Sequence, residues 1–157
     1  MSNRNMKLRM RGFSLIELMI VCVIATILAA IAIPSYNNSI RKSRRTEAKT
    51  ALMDLAAREE RYFATQNVYS SDPVALQYGA GAAWPVPIGN YYSLTITPAD
   101  VTAATATTPA AFIVRAVPSA GSTQLKDRNC QMFIVDQTGK QTSTDSGGAD
   151  TTTTCWP

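Results

Sequence analysis

The longest feature of the hydrophobic pattern is an apolar run between Phe13 and Pro34, in which Glu17 is the one charged residue. At about 1.5 Å per residue, the run makes roughly 30 Å of helix, which matches the hydrocarbon thickness of a bilayer. No small-residue cleavage site with polar flanks follows it. The pattern therefore predicts a helix that stays with the protein and spans the membrane.

An amphipathic pattern follows Pro34. Apolar residues recur at spacings of three and four, at Ala48, Ala51, Leu52, Leu55, Tyr62 and Phe63. This spacing predicts that the helix continues, to about Ala64, and packs one face on a core. The charged residues of this stretch are expected mostly on other faces; they are Glu47, Asp54, Arg58, Glu59, Glu60 and Arg61.

After Asn67 the pattern changes to short alternating segments separated by Gly and Pro. These segments predict strands at 91–97, 111–117, 131–136 and near 140–142. The last two are joined by a predicted turn from Asp136 to Gly139. The Thr-rich segments 101–111 and 142–154 are expected to be exposed loops, as is the Gly- and Pro-rich stretch around Trp84. An antiparallel sheet laid on the amphipathic helix would close one small core, which is an α+β fold.

Positive charge is concentrated at the start of the chain. The whole chain has 15 Lys and Arg against 11 Asp and Glu, and four of the cations precede Phe13. A short basic segment before an apolar span is held on the cytoplasmic side, so the rest of the chain is expected outside. A second basic cluster, Arg41–Arg45, weakens this asymmetry.

Glu17 is the candidate functional residue of the apolar run. An ionised side chain at the bilayer centre costs about 2.5–3.5 kcal/mol, and less near a helix end. The unpaired N–H groups of a first helical turn favour a carboxylate there. Glu17 therefore either caps its own helix or has a separate partner. Because ionisable residues inside membranes usually serve a function, the second interpretation is favoured.

The three cysteines of the chain indicate in which cellular compartment its C-terminal part lies. Cys22 lies in the apolar run and is most simply a small apolar residue. Cys130 and Cys155 lie in the polar C-terminal part, where a pair fits a disulfide formed in an oxidising compartment. Such a bond would close a loop of about 25 residues and stabilise the fold by roughly 3–4 kcal/mol. The alternative is two unrelated thiols.

No catalytic or cofactor site is predicted. The chain has no histidine, which excludes the common Ser-His-Asp and Cys-His systems and argues against a zinc site. No phosphate-binding glycine loop of the known types occurs. Asp145 and Asp150 do not match the spacing of an EF-hand, so a solvated turn is the better interpretation. We expect a protein that is not an enzyme and that uses no cofactor or metal.

The sequence RGFSLIELMIVCVIATILAAIAIP resembles the N-terminus of type IV prepilins. The resemblance consists of a short basic leader ending in Gly12, then Phe13, Glu17, an unbroken apolar helix and Pro34. It is close and specific over residues 9–36. The following helix and the C-terminal CWP are similar to the minor pilins of the PilE type.

This resemblance implies a pilin fold and a processing pathway. A prepilin peptidase would cut between Gly12 and Phe13 and would methylate the new amino group of Phe13. Glu17 would then pair with that ammonium group on a neighbouring subunit of a helical filament, and Pro34 would kink the helix. The implied partners are other pilin subunits, the peptidase and the inner-membrane assembly machinery.

The same resemblance implies four segments and two locations. Residues 1–12 would be a cytoplasmic leader and 13–34 the membrane and assembly half of the helix. Residues 35–66 would be its amphipathic half, and 67–157 a sheet domain whose C-terminal loop is closed by a disulfide between Cys130 and Cys155. The domain would lie in the periplasm before assembly and in the extracellular pilus afterwards.

Three functions are compatible with this N-terminus. The first is a structural subunit of a type IV pilus, of the minor pilin kind, supporting pilus biogenesis, twitching motility and adhesion. The second is a pseudopilin of a type II secretion system, in which calcium often braces the C-terminal loop; Cys130 and Cys155 favour the pilus instead. The third is a DNA-uptake receptor. From Asn67 onward there are four basic residues against six acids, so direct DNA binding is least favoured, although Lys126 and Arg128 leave a small basic patch.

Overall fold

The computed structural model of the chain describes residues 13–78 and 83–156. The chain divides into two compact parts, one ending at Ser39 and one beginning at Ile40. Helix α1, Leu15–Gln66, contributes residues to both parts. It is followed by Asn67 with a φ of 56°, a left-handed conformation typical of the residue that terminates a helix.

Helix α1 is assigned without interruption through Pro34. A proline has no backbone N–H, so position 34 cannot donate the usual hydrogen bond to the carbonyl group of Ala30. The kink at Pro34 that the resemblance implies stays a prediction.

Six strands form one antiparallel sheet in the second part of the chain. They are β1 Val86–Ile88, β2 Tyr92–Thr95, β3 Val101–Thr102, β4 Ala111–Pro118, β5 Met132–Asp136 and β6 Gln141–Thr144. Their order across the sheet is β1-β2-β4-β5-β6, and the short β3 pairs with β4. A four-residue helix, α2 Thr152–Cys155, follows the last strand.

One core holds the helix and the sheet together. Leu94 on β2 is opposite Ala116 on β4, which is opposite Phe133 on β5, and all three are buried. Side chains two residues apart on a strand share a face, so this face meets the α1 side chains Leu52 and Leu55 in one buried cluster. The predicted α+β fold, with a long N-terminal helix packed on a small antiparallel sheet, is confirmed.

The predicted turn before β6 is present, because the Gly139 N–H donates to the Asp136 carbonyl group at 2.9 Å. Gly139 has a φ of 75°, which a residue with a side chain rarely adopts. The strand that follows is Gln141–Thr144 rather than 140–142.

Two strands and one helix were not predicted. Strand β1 lies in the stretch expected to be a loop, and β3 and α2 lie in the Thr-rich segments. Pro87 makes β1 difficult to predict from the sequence, because proline disfavours strands other than edge strands. In the structure β1 is an edge strand of the sheet. Strand β3 has two residues, too few for an alternating pattern to be visible.

Candidate functional site: an exposed apolar segment and a basic face

The apolar segment, residues 13–33, exposes most of its side chains. The exposed fractions of its large apolar residues range from 52% at Ile24 to 78% at Phe13. The helix is long and apolar enough to cross a membrane, and none of that apolar stretch is buried within the chain. Soluble proteins rarely leave so large an apolar surface uncovered. Lipid or other protein chains must therefore cover it.

Glu17 is an exposed carboxylate within this apolar surface. It lies in the first turn of α1, where several backbone N–H groups have no partner within the helix. The side chain makes no ion pair within residues 13–78 and 83–156. The Glu17 carboxylate can therefore interact either with a group on another molecule or with the unpaired N–H groups at the start of its own helix.

The other residues expected to take part in processing are placed less fully. Gly12 lies outside the described residues, and Phe13 is the first residue that the structure describes, highly exposed. Cleavage after Gly12, methylation of Phe13 and pairing of Glu17 all involve other proteins, so each stays a prediction.

A disulfide joins Cys130 to Cys155, which links the residues before β5 to helix α2. Their Cα atoms are 5.8 Å apart, and both side chains are buried. The neighbouring Trp156 packs edge-on against Phe133, and its indole N–H donates to the Thr142 carbonyl group at 2.9 Å. The bond therefore fastens the C-terminal segment to the sheet, while Cys22 in the apolar segment is a free, exposed thiol.

Asp145 and Asp150, weighed above as calcium ligands, are engaged with backbone groups. Asp145 Oδ1 accepts the N–H groups of Gly147 and Ala149 at 2.8 and 2.9 Å, and Asp150 Oδ1 accepts that of Thr152 at 2.8 Å. Among the described residues, no group of three or more His, Cys, Asp or Glu side chains is placed to hold a metal ion. The two carboxylates thus shape the loop between β6 and α2.

A buried polar cluster ties α1 to the segment before β5. The Arg45 guanidinium donates two hydrogen bonds of 2.6 Å to Asp127, whose carboxylate is almost fully buried. The Gln124 side-chain amide donates to the same carboxylate at 2.9 Å. The same groups influence the Tyr92 hydroxyl. Burial is the largest cause that raises its pKa to about 12, and the side chain of Gln124 acts in the opposite direction. Arginine and carboxylate paired by two parallel bonds fix both position and orientation.

Arg44 anchors the same segment from the next position on the helix. Its guanidinium lies over the ring of Tyr91, 3.5 Å from the ring centroid, and donates to the Thr123 hydroxyl at 2.7 Å. The stacked arrangement uses the flat, delocalised cation in a way that lysine cannot reproduce.

These contacts create a surface that we call the basic face. Arg44 and Arg45 meet residues 123–127, so the helix cations are brought beside the two cations that flank Asp127. We define the basic face as the helix cations near these contacts together with the two residues that flank Asp127 in the chain, namely Arg41, Lys42, Arg44, Arg45, Lys49, Lys126 and Arg128. The sequence-based charge count, which began at Asn67, did not include the cations of α1. Those cations come close to residues 123–127 only in the folded domain, so the count underestimated the positive charge there.

Glu59 is the exception to the expectation that the charged residues of this stretch lie mostly on other faces. Its side chain is completely buried, and its Oε2 accepts the backbone N–H of Ser70 at 3.1 Å. Burial raises the pKa of Glu59 to about 7, and the charge of Glu60 acts in the same direction. The carboxyl group therefore ties the chain that leaves α1 back to the helix.

Two family profiles match the chain. The profile described as a prokaryotic N-terminal methylation motif matches residues 7–33. The profile described as type IV minor pilin ComP, DNA uptake sequence receptor, matches residues 34–134, which is more than half of the chain. The chain belongs to this family of type IV minor pilins. The family also explains why the exposed segment and the folded domain occur in one molecule.

Individual relatives are similar to this minor pilin over part of its length. The chain is 48% identical over 62 residues to the type IV major pilin protein PilA of Myxococcus xanthus, and 38% identical over 65 residues to the fimbrial protein EcpC of Eikenella corrodens. It is 57% identical over 42 residues to the type IV major fimbrial protein FimA of Dichelobacter nodosus. These matches cover 40%, 41% and 27% of this chain.

The shared region is a minor part of each relative. The chain spans 28% of the length of PilA, 42% of EcpC and 26% of FimA.

A solved type IV pilin from Shewanella oneidensis is 21% identical, with a TM-score of 0.39, over 64% of this chain and 89% of that one.

Proposed function

We propose that this minor pilin is cleaved between Gly12 and Phe13 by a prepilin peptidase, methylated on the Phe13 amino group, and built into a type IV pilus through its apolar segment. Its C-terminal domain lies in the periplasm before assembly and on the pilus afterwards. The assembled subunit supports pilus biogenesis, twitching motility and adhesion. The observation that carries this proposal is the exposed apolar segment with the single carboxylate of Glu17 in the first turn of its helix.

Glu17 has a defined task in this proposal. Cleavage creates an ammonium group at Phe13, and both it and the carboxylate then lie in an apolar environment. Opposite charges attract far more strongly there than in water. Burying either charge alone would cost free energy. Pairing between subunits therefore stabilises the axial arrangement of subunits that brings the two charges together. A helix-capping role would instead satisfy the carboxylate within its own subunit.

The test is the variant Glu17→Gln. Removing one member of a buried ion pair costs about 3–5 kcal/mol, because the other charge stays buried and unpaired. We therefore expect a processed, folded, membrane-resident subunit that is missing from sheared pili when the subunits are quantified by mass spectrometry. Since an amide can still accept a hydrogen bond at the first turn, a capping role predicts almost no effect.

Two further variants sharpen this test. Glu17→Asp keeps the charge but shortens its reach, so incorporation should be intermediate. Glu60→Gln makes the same chemical change on an exposed residue of the domain and should leave incorporation unchanged. Incorporation of Glu17→Gln at the wild-type ratio would contradict the pairing between subunits and would leave the capping role standing.

DNA binding is a second candidate function, supported by the basic face and by the description of the matching profile as a DNA uptake sequence receptor. Lys126 and Arg128 are exposed and belong to that face. Contacts to DNA phosphates release counterions, so affinity should fall steeply as salt increases.

A double-stranded oligonucleotide titrated against the full chain in neutral detergent tests this candidate. A Lys126→Gln, Arg128→Gln double variant should bind more weakly and with a shallower salt dependence, since each lost phosphate contact reduces the slope by about one. Lys140→Gln, on the β5–β6 turn, is the control and should bind as the unmodified chain does. Equal binding by all three proteins would contradict a role for the basic face.

A further inference from the structure

A small cavity opens in the basic face, between α1 and the C-terminal helix α2. Its volume is about 200 Å³, and it is lined by Lys42, Arg45, Thr46, Lys49, Thr154 and Cys155. Pockets that take drug-sized ligands measure about 300–1,000 Å³. The cavity therefore suits one small polar group.

Three cations line this cavity, and among the described residues only Arg45 has a carboxylate partner. Arg45 pairs with Asp127 through Nε and Nη2, which leaves its Nη1 without a hydrogen-bond partner among residues 13–78 and 83–156. In the same part of the chain, neither Lys42 nor Lys49 has a carboxylate within ion-pair distance. Within the described part of the chain, the cations that line the cavity therefore outnumber their carboxylate partners by two.

Lys49 is held in place by the aromatic residues beneath it. Its Nζ lies 5.2 Å from the ring centroid of Trp156 and 5.7 Å from that of Phe133. Burial, and secondly the charge of Arg45, lower the pKa of Lys49. The ammonium group is therefore held in place without a carboxylate partner among the described residues. An anion bound in the cavity would stabilise its charged form.

The groups lining the cavity fit a phosphate better than a carboxylate. Two ammonium groups, a free guanidinium N–H and the Thr154 hydroxyl can together meet three or four oxygen atoms, whereas a carboxylate has two. The Thr46 hydroxyl is already committed, since it donates to the Lys42 carbonyl group at 3.2 Å.

The position of the cavity in the chain points to the source of the phosphate. Lys42 lies only eight residues after Pro34, where the apolar segment ends, so the length of the chain limits how far this lysine can be from the bilayer. A membrane-anchored subunit therefore keeps this lysine near the bilayer surface. The negatively charged phosphate of an anionic lipid at that surface attracts nearby Lys and Arg side chains.

We propose that this cavity binds the phosphate group of an anionic phospholipid headgroup while the subunit is still anchored in the membrane. Lys42 and Lys49 contact the phosphate oxygens, and the Thr154 hydroxyl and the free Arg45 N–H complete the site. Release of the lipid then accompanies transfer of the subunit into the filament.

Trp156 provides a direct readout of this site. The full chain, carrying Trp84→Phe so that Trp156 is the remaining tryptophan, is held in neutral detergent and titrated with phosphatidylglycerol. We expect a saturable change in Trp156 emission together with protection of Lys49 from amine acylation, which is followed by mass spectrometry. If neither signal changes, the proposal is overturned.

Charge-matched variants separate a site from diffuse attraction. Lys42→Gln and Lys49→Gln should each weaken the response by about tenfold, the scale expected for losing one charge-assisted hydrogen bond. Lys140→Gln removes the same charge from a residue of the β5–β6 turn that does not line the cavity, and should change the response by less than twofold. An equal loss in all three variants would mean that the lipid responds to overall charge and would overturn the site.

Parallel titrations separate the possible sources of phosphate. Phosphatidylcholine, which carries no net charge, and inorganic phosphate should both need at least tenfold higher concentrations than phosphatidylglycerol. Equal potency of inorganic phosphate would overturn the assignment to lipid. A stronger response to double-stranded DNA that is lost in the Lys42 and Lys49 variants would also overturn it, because the cavity would then serve nucleic acid.

Discussion

Large apolar side chains are exposed along residues 13–33 but mostly buried in residues 40–78 and 83–156, where helix and sheet share a core. Two glutamates of helix α1 show what this difference means. Glu17 is exposed and has no ion pair within the described residues, whereas Glu59 is buried and hydrogen-bonded to Ser70. The first can act on another molecule, and the second can act only on the fold.

The comparison makes a simple prediction about mutations. Substitutions in residues 12–33 should change processing and assembly while the domain stays equally stable. Substitutions of buried groups in the domain should lower its stability, and should affect assembly only through the amount of folded subunit. The predictions below test this separation.

The largest expected effect is at the start of the apolar segment. Gly12→Val should block processing completely, because a bulky residue replaces the small one at the proposed cleavage site. Intact mass measurement should then find the leader still attached, whereas the unmodified chain should begin at methylated Phe13. Gly12→Ala is the matched control and should still be cleaved.

Urea unfolding of both Gly12 variants should match that of the unmodified chain. A mature N-terminus at Met1 or Ser2 in the unmodified protein would contradict the proposed processing. A changed unfolding midpoint in either variant would contradict the separation of the two regions.

The next largest effect is expected at the disulfide. Breaking a bond that closes a loop of 25 residues should lower the free energy of unfolding by about 3–4 kcal/mol in the loop-entropy model. Cys155→Ala, unfolded with urea in neutral detergent and followed by tryptophan fluorescence, measures this loss. Cys22→Ala, in the apolar segment, should leave the midpoint unchanged.

Thiol counting gives an independent check of the same bond. Unfolded without reductant, the full chain should react with one equivalent of an alkylating reagent, at Cys22. Three reactive thiols would show that Cys130 and Cys155 are not joined in the purified protein.

A smaller loss is expected when the ion pair beneath the basic face is broken. Asp127→Ala removes the acceptor of Arg45 and of Gln124 and should cost about 2–3 kcal/mol, since Arg45 is partly exposed and can be rehydrated. The measurement is again urea unfolding. Asp54→Ala breaks the pair with Arg58 on the exposed side of α1 and should cost less than about 1 kcal/mol. Equal losses in both variants would contradict the importance of burial.

The smallest effect depends on pH. The pKa of Glu59 is about 7 in the folded domain, above its ordinary value of 4.5. Between these values the folded state binds more protons than the unfolded state, so the free energy of unfolding falls as pH rises from about 4.5 to about 7. Charging this buried group should cost about 1–3 kcal/mol by pH 8.

Glu59→Gln should remove that contribution. An amide oxygen can still accept the Ser70 N–H, but it does not ionise. The stability difference between Glu59→Gln and the unmodified chain should therefore grow across this pH range in favour of the variant. Glu47→Gln, at an exposed glutamate of the same helix, is the control and should give no such pH-dependent difference. A pH-independent difference for Glu59→Gln would contradict the raised pKa.

Much of the molecule follows from local sequence patterns. The apolar run of residues 13–33 has a length that only a membrane or a hydrophobic assembly explains, and the spacing of Ala48, Leu52 and Leu55 defines one helical face. The alternation in Phe112, Val114 and Ala116 likewise predicts a half-buried strand. These features depend on the repeat of a helix or a strand, which neighbouring residues reveal without knowledge of the fold.

Tertiary structure decided the features that depend on which distant residues meet. Glu59 resembles the charged residues around it, and only the chain returning at Ser70 makes it a buried group. Strand β1 exists because β2 offers an edge to a proline-containing segment. The basic face and its cavity exist because α1 meets residues 123–127 and α2. No local pattern predicts the basic face, since its helix cations and the residues they meet are about 80–110 residues apart in the sequence.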